Sequence, residues 1–151
     1  MAAAGHSGTP LPKKLGLKDG QAVAFAGLPD TLNDLVSARQ FALLEQVDDW
    51  AEITGNRLDY IHLFIDSAAT IDAVTPVLRD RIKPNGMIWM PWPKKASKMP
   101  TDVTEDIIRE RALADVLVDV KVCAVDEVWS GLKLVVRKQF RAAHVNASRK
   151  G

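Results

Sequence analysis

The stretch Tyr60-Ile-His-Leu-Phe-Ile65 decides the fold, because it is apolar, aromatic and β-branched and is bounded by Asp59 and Asp66. Such a run predicts a strand that is covered on both faces, as in a parallel sheet. Ser67 can cap the helix that follows, over about Ala68–Ile82, where apolar residues recur at helical spacing. The sequence therefore predicts a strand that leads directly into a helix.

The next residues close this unit and repeat it. Lys83-Pro-Asn-Gly86 predicts the end of the helix and a turn, and Met87-Ile-Trp-Met90 predicts a second buried strand. A further helix is expected to begin at Thr101 or Asp102. Two final strands are expected at Val118–Val125 and Leu132–Val136, and the short link between them makes the pair antiparallel.

Upstream of Tyr60 the pattern is less regular. A short helix is predicted at Leu11–Leu15 with Thr9 as its N-cap, and a strand at Gln21–Ala26. In residues 30–57 a helix can run from Asp30 to Arg39, and Phe41–Glu45 can be a strand or a continued helix. The sequence leaves open whether this region forms a complete βα unit.

The order of these elements predicts an α/β fold: a three-layer sandwich with a mostly parallel sheet and an antiparallel pair at the end. The whole of residues 9–140 forms one domain in this interpretation. Residues 1–8 and 141–151 are small or polar, and we expect them to be a flexible N-terminus and a flexible C-terminal tail.

One segment points to a known fold. Leu78-Arg-Asp-Arg-Ile-Lys-Pro-Asn-Gly-Met-Ile-Trp-Met90 resembles the helix, Lys-Pro-Gly-Gly, strand segment of class I methyltransferases, and the likeness covers roughly the C-terminal half. Methyltransferases place a Gly-rich turn after their first strand, where this chain has Ala26-Gly-Leu-Pro29. Only one glycine remains there, and Pro29 removes a backbone donor. We therefore expect no cofactor; if S-adenosylmethionine does bind, the candidate residues are Gly27, Glu45 and Asp66.

A second resemblance covers nearly the whole chain. It rests on Ser7-Gly-Thr-Pro-Leu11, on Trp92-Pro-Lys-Lys-Ala-Ser97, on Thr101-Asp-Val-Thr-Glu-Asp106 and on Val118-Asp-Val-Lys-Val-Cys-Ala-Val-Asp-Glu127. These motifs are similar to those of an uncharacterised bacterial family of small proteins. The family has no assigned activity, so this resemblance implies a fold and leaves the function open.

A site is expected where the parallel strands end, since ligands bind there in open α/β sheets. The candidate ligand-binding residues are Trp92, Lys94, Lys95, Ser97, Asp126, Trp129, Ser130 and Lys13. The lysine loop predicts an anion site beside a helix N-terminus, and its alternative is a solvated basic loop. Trp129 is either a stacking wall or a hairpin aromatic, and Asp126 is either a general base or a solvent-facing turn residue.

Composition excludes several classes of protein. The 151 residues carry 20 Lys and Arg against 19 Asp and Glu, which disfavours nucleic-acid binding. The single cysteine excludes an internal disulfide and a multi-cysteine metal site, and we expect no metal. We expect no membrane span and a cytoplasmic location. His62 and Cys123 lie in the middle of predicted strands and are expected to be buried, whereas His6 and His144 lie in the tails.

These observations support four hypotheses of function. The leading one is a non-catalytic methyltransferase-like module that binds a small anionic ligand or a protein partner. The alternative is an S-adenosylmethionine-dependent methyltransferase of reduced size. A third is a structural protein that forms a homodimer through Leu132–Val136, if that strand lies at the sheet edge. Nucleic-acid binding comes last, supported only by Trp92 and Trp129 beside lysines.

Overall fold

The computed structural model describes residues 10–142. The helices in that range are α1 (Leu11–Leu15), α2 (Ala68–Arg81) and α3 (Glu105–Ala114). The strands are β1 (Ala22–Ala26), β2 (Leu43–Val47), β3 (Leu58–Leu63), β4 (Ile82–Pro93), β5 (Leu117–Ala124) and β6 (Trp129–Val136). Four short 3₁₀ segments lie at Asp30–Ser37, Trp50–Glu52, Lys95–Ser97 and Lys138–Phe140. The predictions for residues 1–9 and 143–151, including the Thr9 cap, His6 and His144, lie outside the described residues.

The six strands form one sheet in the order β2-β1-β3-β4-β6-β5. The strands β2, β1, β3 and β4 are parallel to their neighbours. β6 is antiparallel to both β4 and β5. The predicted α/β fold with a mostly parallel sheet and an antiparallel pair at the end is therefore confirmed.

Helical segments cover the two faces of the sheet, which gives the three layers that the sequence predicted. On one face α2 and α3 bury residues such as Ile71, Leu78 and Ile108. On the other face α1 and the segment Asp30–Ser37 pack on an aromatic layer that includes Trp89. Each fully buried Ile or Leu side chain stabilises the fold by about 1.5–3 kcal/mol. The indole Nε1 of Trp89 also donates to the carbonyl oxygen of Leu15 at 2.8 Å, which fixes α1 to the sheet.

The region that the sequence left open contains a strand but little helix. β2 begins at Leu43, two residues later than the predicted Phe41–Glu45. The link before it, Asp30–Ser37, is a 3₁₀ segment where an α-helix was predicted. Within the described chain, β2 and β3 are joined through the 3₁₀ segment Trp50–Glu52 alone.

The predicted turn at Lys83–Gly86 is wrong, because these residues belong to β4. Leu58 pairs with Ile82 and Tyr60 pairs with Met87, so four residues of β4 lie opposite Asp59. The Asp59 carboxylate holds this irregular stretch by accepting from Lys83 Nζ at 2.9 Å. The close approach requires glycine at position 86, since an added Cβ would lie 2.6 Å from Ile82 Cγ1 and 2.9 Å from Leu58 O.

The predicted helix caps are also corrected. Thr104 caps α3, its hydroxyl accepting from Ile107 N at 3.2 Å. Thr101 donates instead to the carbonyl oxygen of Asp66 at 2.7 Å. Asp102 accepts from Ala68 N at 2.8 Å and so caps α2 from a distant part of the chain. The N-cap predicted for Ser67 is therefore supplied by a remote carboxylate. The side chain of Ser67 makes no cap bond to the described residues.

The edges of the sheet are β2 and β5. β6 is hydrogen-bonded on both sides, to β4 and to β5. Pairing of Leu132–Val136 with a second copy is therefore excluded, because its backbone groups are already used. In the part of the chain that the structure describes, no helix combines the length and the apolar character needed to span a membrane.

Candidate functional site

The predicted site lies at the carboxyl ends of the parallel strands, and backbone bonds bring three of these ends together. Phe64, just beyond β3, donates its N–H to Ala26 O at 3.1 Å. Ile65 donates to Pro91 O at 3.0 Å, which joins the ends of β3 and β4. Lys94 donates to Val128 O at 2.7 Å, which adds the turn between β5 and β6. We call this edge of the sheet the rim.

Gly27 ends β1 in a left-handed turn with a φ of 69°. This conformation is open to glycine and disfavoured for other residues. Its N–H donates to Val47 O at 3.0 Å, so the turn is tied to the end of β2. A Cβ at this position would lie 3.7 Å from Asp48 O and from Phe64 Cβ. The turn thus sits between the residues that follow β2 and β3.

Two aromatic side chains, Phe64 and Trp129, lie beside this turn, and we call them the aromatic wall. The rings of Phe64 and Trp129 meet edge to face, with centroids 5.0 Å apart. Phe64 in turn stacks on His62 at 4.8 Å with an interplanar angle of 3°. Sequence analysis named Trp129 but missed Phe64, because Phe64 lies inside the apolar run Tyr60–Ile65. No local signal separates Phe64 from the core residues of that run, because only the structure shows that β3 ends at Leu63.

His62 lies beneath the wall and is fully buried, as the sequence predicted. The hydroxyl of Tyr60 is 2.7 Å from its Nδ1. Burial lowers the pKa of His62 to about 3 and raises the pKa of Tyr60 well above its ordinary value. The pair is therefore neutral at physiological pH and packs as part of the aromatic layer. Cys123 is likewise a buried free thiol.

Two of the predicted ligand-binding residues hold the turn together. Lys94 Nζ donates to Asp126 O at 2.6 Å. The carboxylate of Asp126 accepts from Val128 N and from Trp129 N, both at 2.8 Å. The geometry shows that the carboxylate of Asp126 fixes this turn. Both side chains thereby position Trp129 at the rim.

The other members of the predicted set are distributed around the rim or away from it. Ser97 donates to Lys94 O at 2.6 Å and stabilises the 3₁₀ segment after β4. Lys95 is exposed. Ser130 lies in β6, opposite Trp92 and Ala124. Lys13 lies on α1, which packs on a face of the sheet, since Leu15 O accepts from Trp89 and Lys14 O accepts from Lys121.

A groove opens on the α3 side of the rim, with a volume of about 510 Å³. It is lined by Trp92, Pro93, Lys95, Thr101, Asp102, Val103, Thr104, Glu105 and Asp106. Three carboxylates line it against one lysine, and two of them, Glu105 and Asp106, pair with Arg109. The expected anion site at this helix N-terminus is therefore unfavourable, because the chain's own acidic residues already occupy the first turn.

The three cofactor candidates lie in different places. Gly27 is at the rim, and Asp66 is exposed just beyond β3. Glu45 lies in the middle of β2, where its carboxylate accepts from the hydroxyl of Thr54 at 2.5 Å and from Gly55 N at 2.9 Å. Burial raises the pKa of Glu45, but these hydrogen bonds outweigh burial and leave the pKa below its ordinary value. Glu45 is thus committed to the loop before β3.

The residue that directly follows β2 is Asp48, which the sequence analysis missed. Its side chain is exposed, and its carboxylate has no hydrogen-bond or ion-pair partner within residues 10–142. It was missed because the strand was placed two residues too early. No group of three His, Cys, Asp or Glu side chains among the described residues has the arrangement of a metal site.

Comparisons with known proteins identify the fold. No protein-family model matches the chain, and no curated protein matches its sequence. Magnesium protoporphyrin IX methyltransferase from Synechocystis PCC 6803 is 13% identical, with a TM-score of 0.59 over 78% of this chain and 71% of that enzyme. A putative type 11 methyltransferase from Sulfolobus solfataricus is 15% identical, with a TM-score of 0.57 over 85% of this chain and 90% of that one. The chain therefore has a methyltransferase-like fold, as the Leu78–Met90 segment predicted.

These comparisons correct the expectation of no cofactor. The Synechocystis enzyme was solved with bound S-adenosylmethionine and with bound S-adenosylhomocysteine. Fibrillarin from Aeropyrum pernix, with a TM-score of 0.50, carries natively bound S-adenosyl-L-methionine. An expectation drawn from the single glycine after β1 is thus overturned by structures that share the fold and hold this cofactor.

Proposed function

We propose that this chain binds S-adenosylmethionine at the ends of β1 and β2 and is a methyltransferase of small size. The observation that carries the proposal is the placement of Gly27 beside Asp48: a left-handed, exposed turn lies against the backbone of a residue whose exposed carboxylate has no partner in the described chain. The ends of parallel strands are the usual place for a nucleotide-like ligand in this kind of sheet.

The residues present fit the cofactor. Gly27 lacks a side chain where the backbone must approach a ligand closely, and Asp48 offers two acceptor oxygens to the ribose hydroxyls. The neighbouring Pro29 has no N–H, so the turn supplies fewer backbone donors than a Gly-rich turn. We therefore expect a dissociation constant of about 100 μM, which corresponds to roughly −5.5 kcal/mol.

The aromatic wall adds to this arrangement. The cofactor supplies an electrophilic methyl group when it is bound. Phe64 and Trp129 present apolar surface beside Gly27 and exclude water from that side of the rim. Lys94 and Asp126 hold Trp129 in place, and their polar atoms are occupied by the turn. These four residues position other groups and do not transfer protons. We therefore propose that the atom that accepts the methyl group is nucleophilic without first losing a proton.

The other interpretation, a non-catalytic module that binds an anionic ligand or a protein partner, has less support. Of its lysines, Lys94 is bonded to Asp126 O, and Lys95 faces a groove with three carboxylates. An anionic ligand would meet net negative charge there. Protein partners remain compatible with the exposed rim, but no contact favours one.

The deciding experiment is calorimetry with S-adenosylmethionine and S-adenosylhomocysteine at tens of micromolar protein. We expect saturable one-to-one binding, and we expect Asp48→Asn to weaken it about tenfold, since one hydrogen-bonded carboxylate contributes about 1.5 kcal/mol. Asp80→Asn is the matched control, because Asp80 is exposed near the end of α2, which leads into the start of β4 at the opposite edge of the sheet from the rim. If neither compound gives a binding signal, the proposal is overturned.

A further inference from the structure

The two edges of the sheet differ in how they are protected. On β5, Asp119 pairs with Leu134 and Lys121 with Lys133, so Val120 is an extra residue that bulges. A bulge flanked by two charges blunts an edge and opposes pairing with another strand. On β2, every residue from Leu43 to Val47 pairs in register with β1. β2 is therefore the regular edge, and Glu45 is its single charged residue.

β2 is also uncovered on its faces. Leu43 and Leu44 are 44% and 43% exposed, and successive residues of a strand point to opposite faces. Strands of parallel sheets are ordinarily covered on both faces. Within residues 10–142, this strand thus presents apolar side chains on both of its faces together with an unpaired edge.

The backbone of β2 offers hydrogen-bonding groups along that edge. Leu43 N donates to Gln21 O, and Val47 O accepts from Gly27 N, so these residues direct their backbone groups toward β1. Backbone groups alternate in direction along a strand. Leu44 and Gln46 therefore point their N–H and C=O groups outward, away from the sheet.

We propose that β2 pairs antiparallel with β2 of a second copy of this chain, about a two-fold axis through Leu44. In an antiparallel pair, hydrogen bonds between the strands form only between residues whose backbone groups point outward, here Leu44 and Gln46. The two-fold axis can therefore pass through Leu44, Glu45 or Gln46. An axis at Glu45 sets two carboxylates directly opposite each other, which is unfavourable. An axis at Gln46 sets the apolar Leu44 opposite the acidic Asp48, which is also unfavourable. The axis at Leu44 places Leu44 against Leu44 and joins the two sheets into one.

Charge supports this register. With the axis at Leu44, the Glu45 residues of the two copies do not lie opposite each other. Glu45 then lies opposite Leu43, and its carboxylate is turned toward Thr54 and Gly55 within its own chain. The register thus keeps the two carboxylates of Glu45 apart. Because the two surfaces are the same, the assembly closes as a dimer.

The test uses sedimentation equilibrium of the full chain from about 1 to about 200 μM, a range suited to a micromolar association. We expect a monomer–dimer equilibrium in the wild type. Leu44→Lys puts a charge at the two-fold axis, and we expect it to raise the dissociation constant at least tenfold, roughly 1.4 kcal/mol or more. Val122→Lys is the matched control, because Val122 is 47% exposed on the opposite edge, and we expect it to leave the dimer intact.

Hydrogen exchange supplies a second measurement that needs no variant. The amides of Leu44 and Gln46 should exchange more slowly as the wild-type concentration rises, while the edge amides of β5 should not respond. A wild type that stays monomeric throughout overturns the proposal. So does an equal effect of Val122→Lys, or a mass that grows beyond the dimer with concentration. S-adenosylhomocysteine binding is measured separately, so neither result depends on the other.

Discussion

Lys94 Nζ lies 2.6 Å from the carbonyl oxygen of Asp126, and this contact closes the turn that carries Trp129. It joins the end of the last parallel strand to the antiparallel pair. Since the backbone of Lys94 also donates to Val128 O, the two elements meet through both main chain and side chain. This connection fixes the relative position of the two elements at the rim.

Removal of the ammonium group should loosen the turn. We expect Lys94→Met to reduce the free energy of unfolding by about 1.5–3 kcal/mol, because a hydrogen bond from a charged donor to a half-buried carbonyl is lost. The measurement is urea unfolding followed by far-ultraviolet circular dichroism. Lys95→Met is the control, and we expect a change within about 0.5 kcal/mol, since Lys95 is exposed. Equal losses in the two variants would contradict the assignment.

The role of Asp126 can be separated from catalysis. Its Oδ1 accepts from two backbone N–H groups, and an asparagine oxygen can accept the same bonds. We therefore expect Asp126→Asn to keep most of the stability and Asp126→Ala to lose about 1–3 kcal/mol. Both are measured by urea unfolding. If methyl transfer is found, Asp126→Asn should retain it; a loss of activity in a fully stable Asp126→Asn variant would make Asp126 catalytic.

Much of the fold followed from the sequence because its signals are local. The run Tyr60–Ile65 and the helical spacing of Ile71 and Leu78 depend on neighbouring residues only, and both elements were predicted close to their true ends. The caps were not, since Ala68 is capped by Asp102, a residue 34 positions away. A remote partner of this kind leaves no local pattern.

The site was predicted less well for the same reason. Glu45 was chosen because β2 was placed two residues early, and that shift hid Asp48. Lys94 and Asp126 were chosen by residue type. Only the structure shows that the polar atoms of both side chains form hydrogen bonds with the turn between β5 and β6. Phe64 was overlooked because an apolar residue in a strand is ordinarily a core residue.

The irregular stretch of β4 gives a prediction about glycine. We expect Gly86→Ala to lower the free energy of unfolding by about 2–3 kcal/mol, because its Cβ would be forced against Ile82 and the backbone of Leu58. Gly20→Ala serves as the comparison: it meets no atom within 4 Å, but its φ is 83°. That strain costs about 1–2 kcal/mol. Thermal and urea unfolding of both variants test the order, and a Gly86→Ala variant as stable as wild type would contradict the contact.

The Tyr60–His62 pair predicts how stability depends on pH. Burial lowers the pKa of His62 from 6.5 to about 3, so the folded state stays neutral where the unfolded state takes up a proton. The stabilisation is therefore complete above about pH 6.5 and is lost as the pH falls toward 3, by about 1.4 kcal/mol per pH unit and on the order of 5 kcal/mol in total. The matched control is the double variant Tyr60→Phe/His62→Phe, which replaces both partners with rings of similar size and leaves no unpaired polar group. The free energy of unfolding is measured for both proteins from about pH 7 to about pH 4. The wild-type value should fall relative to that of the double variant, and a constant difference across this range would show that His62 does not resist protonation in the folded state.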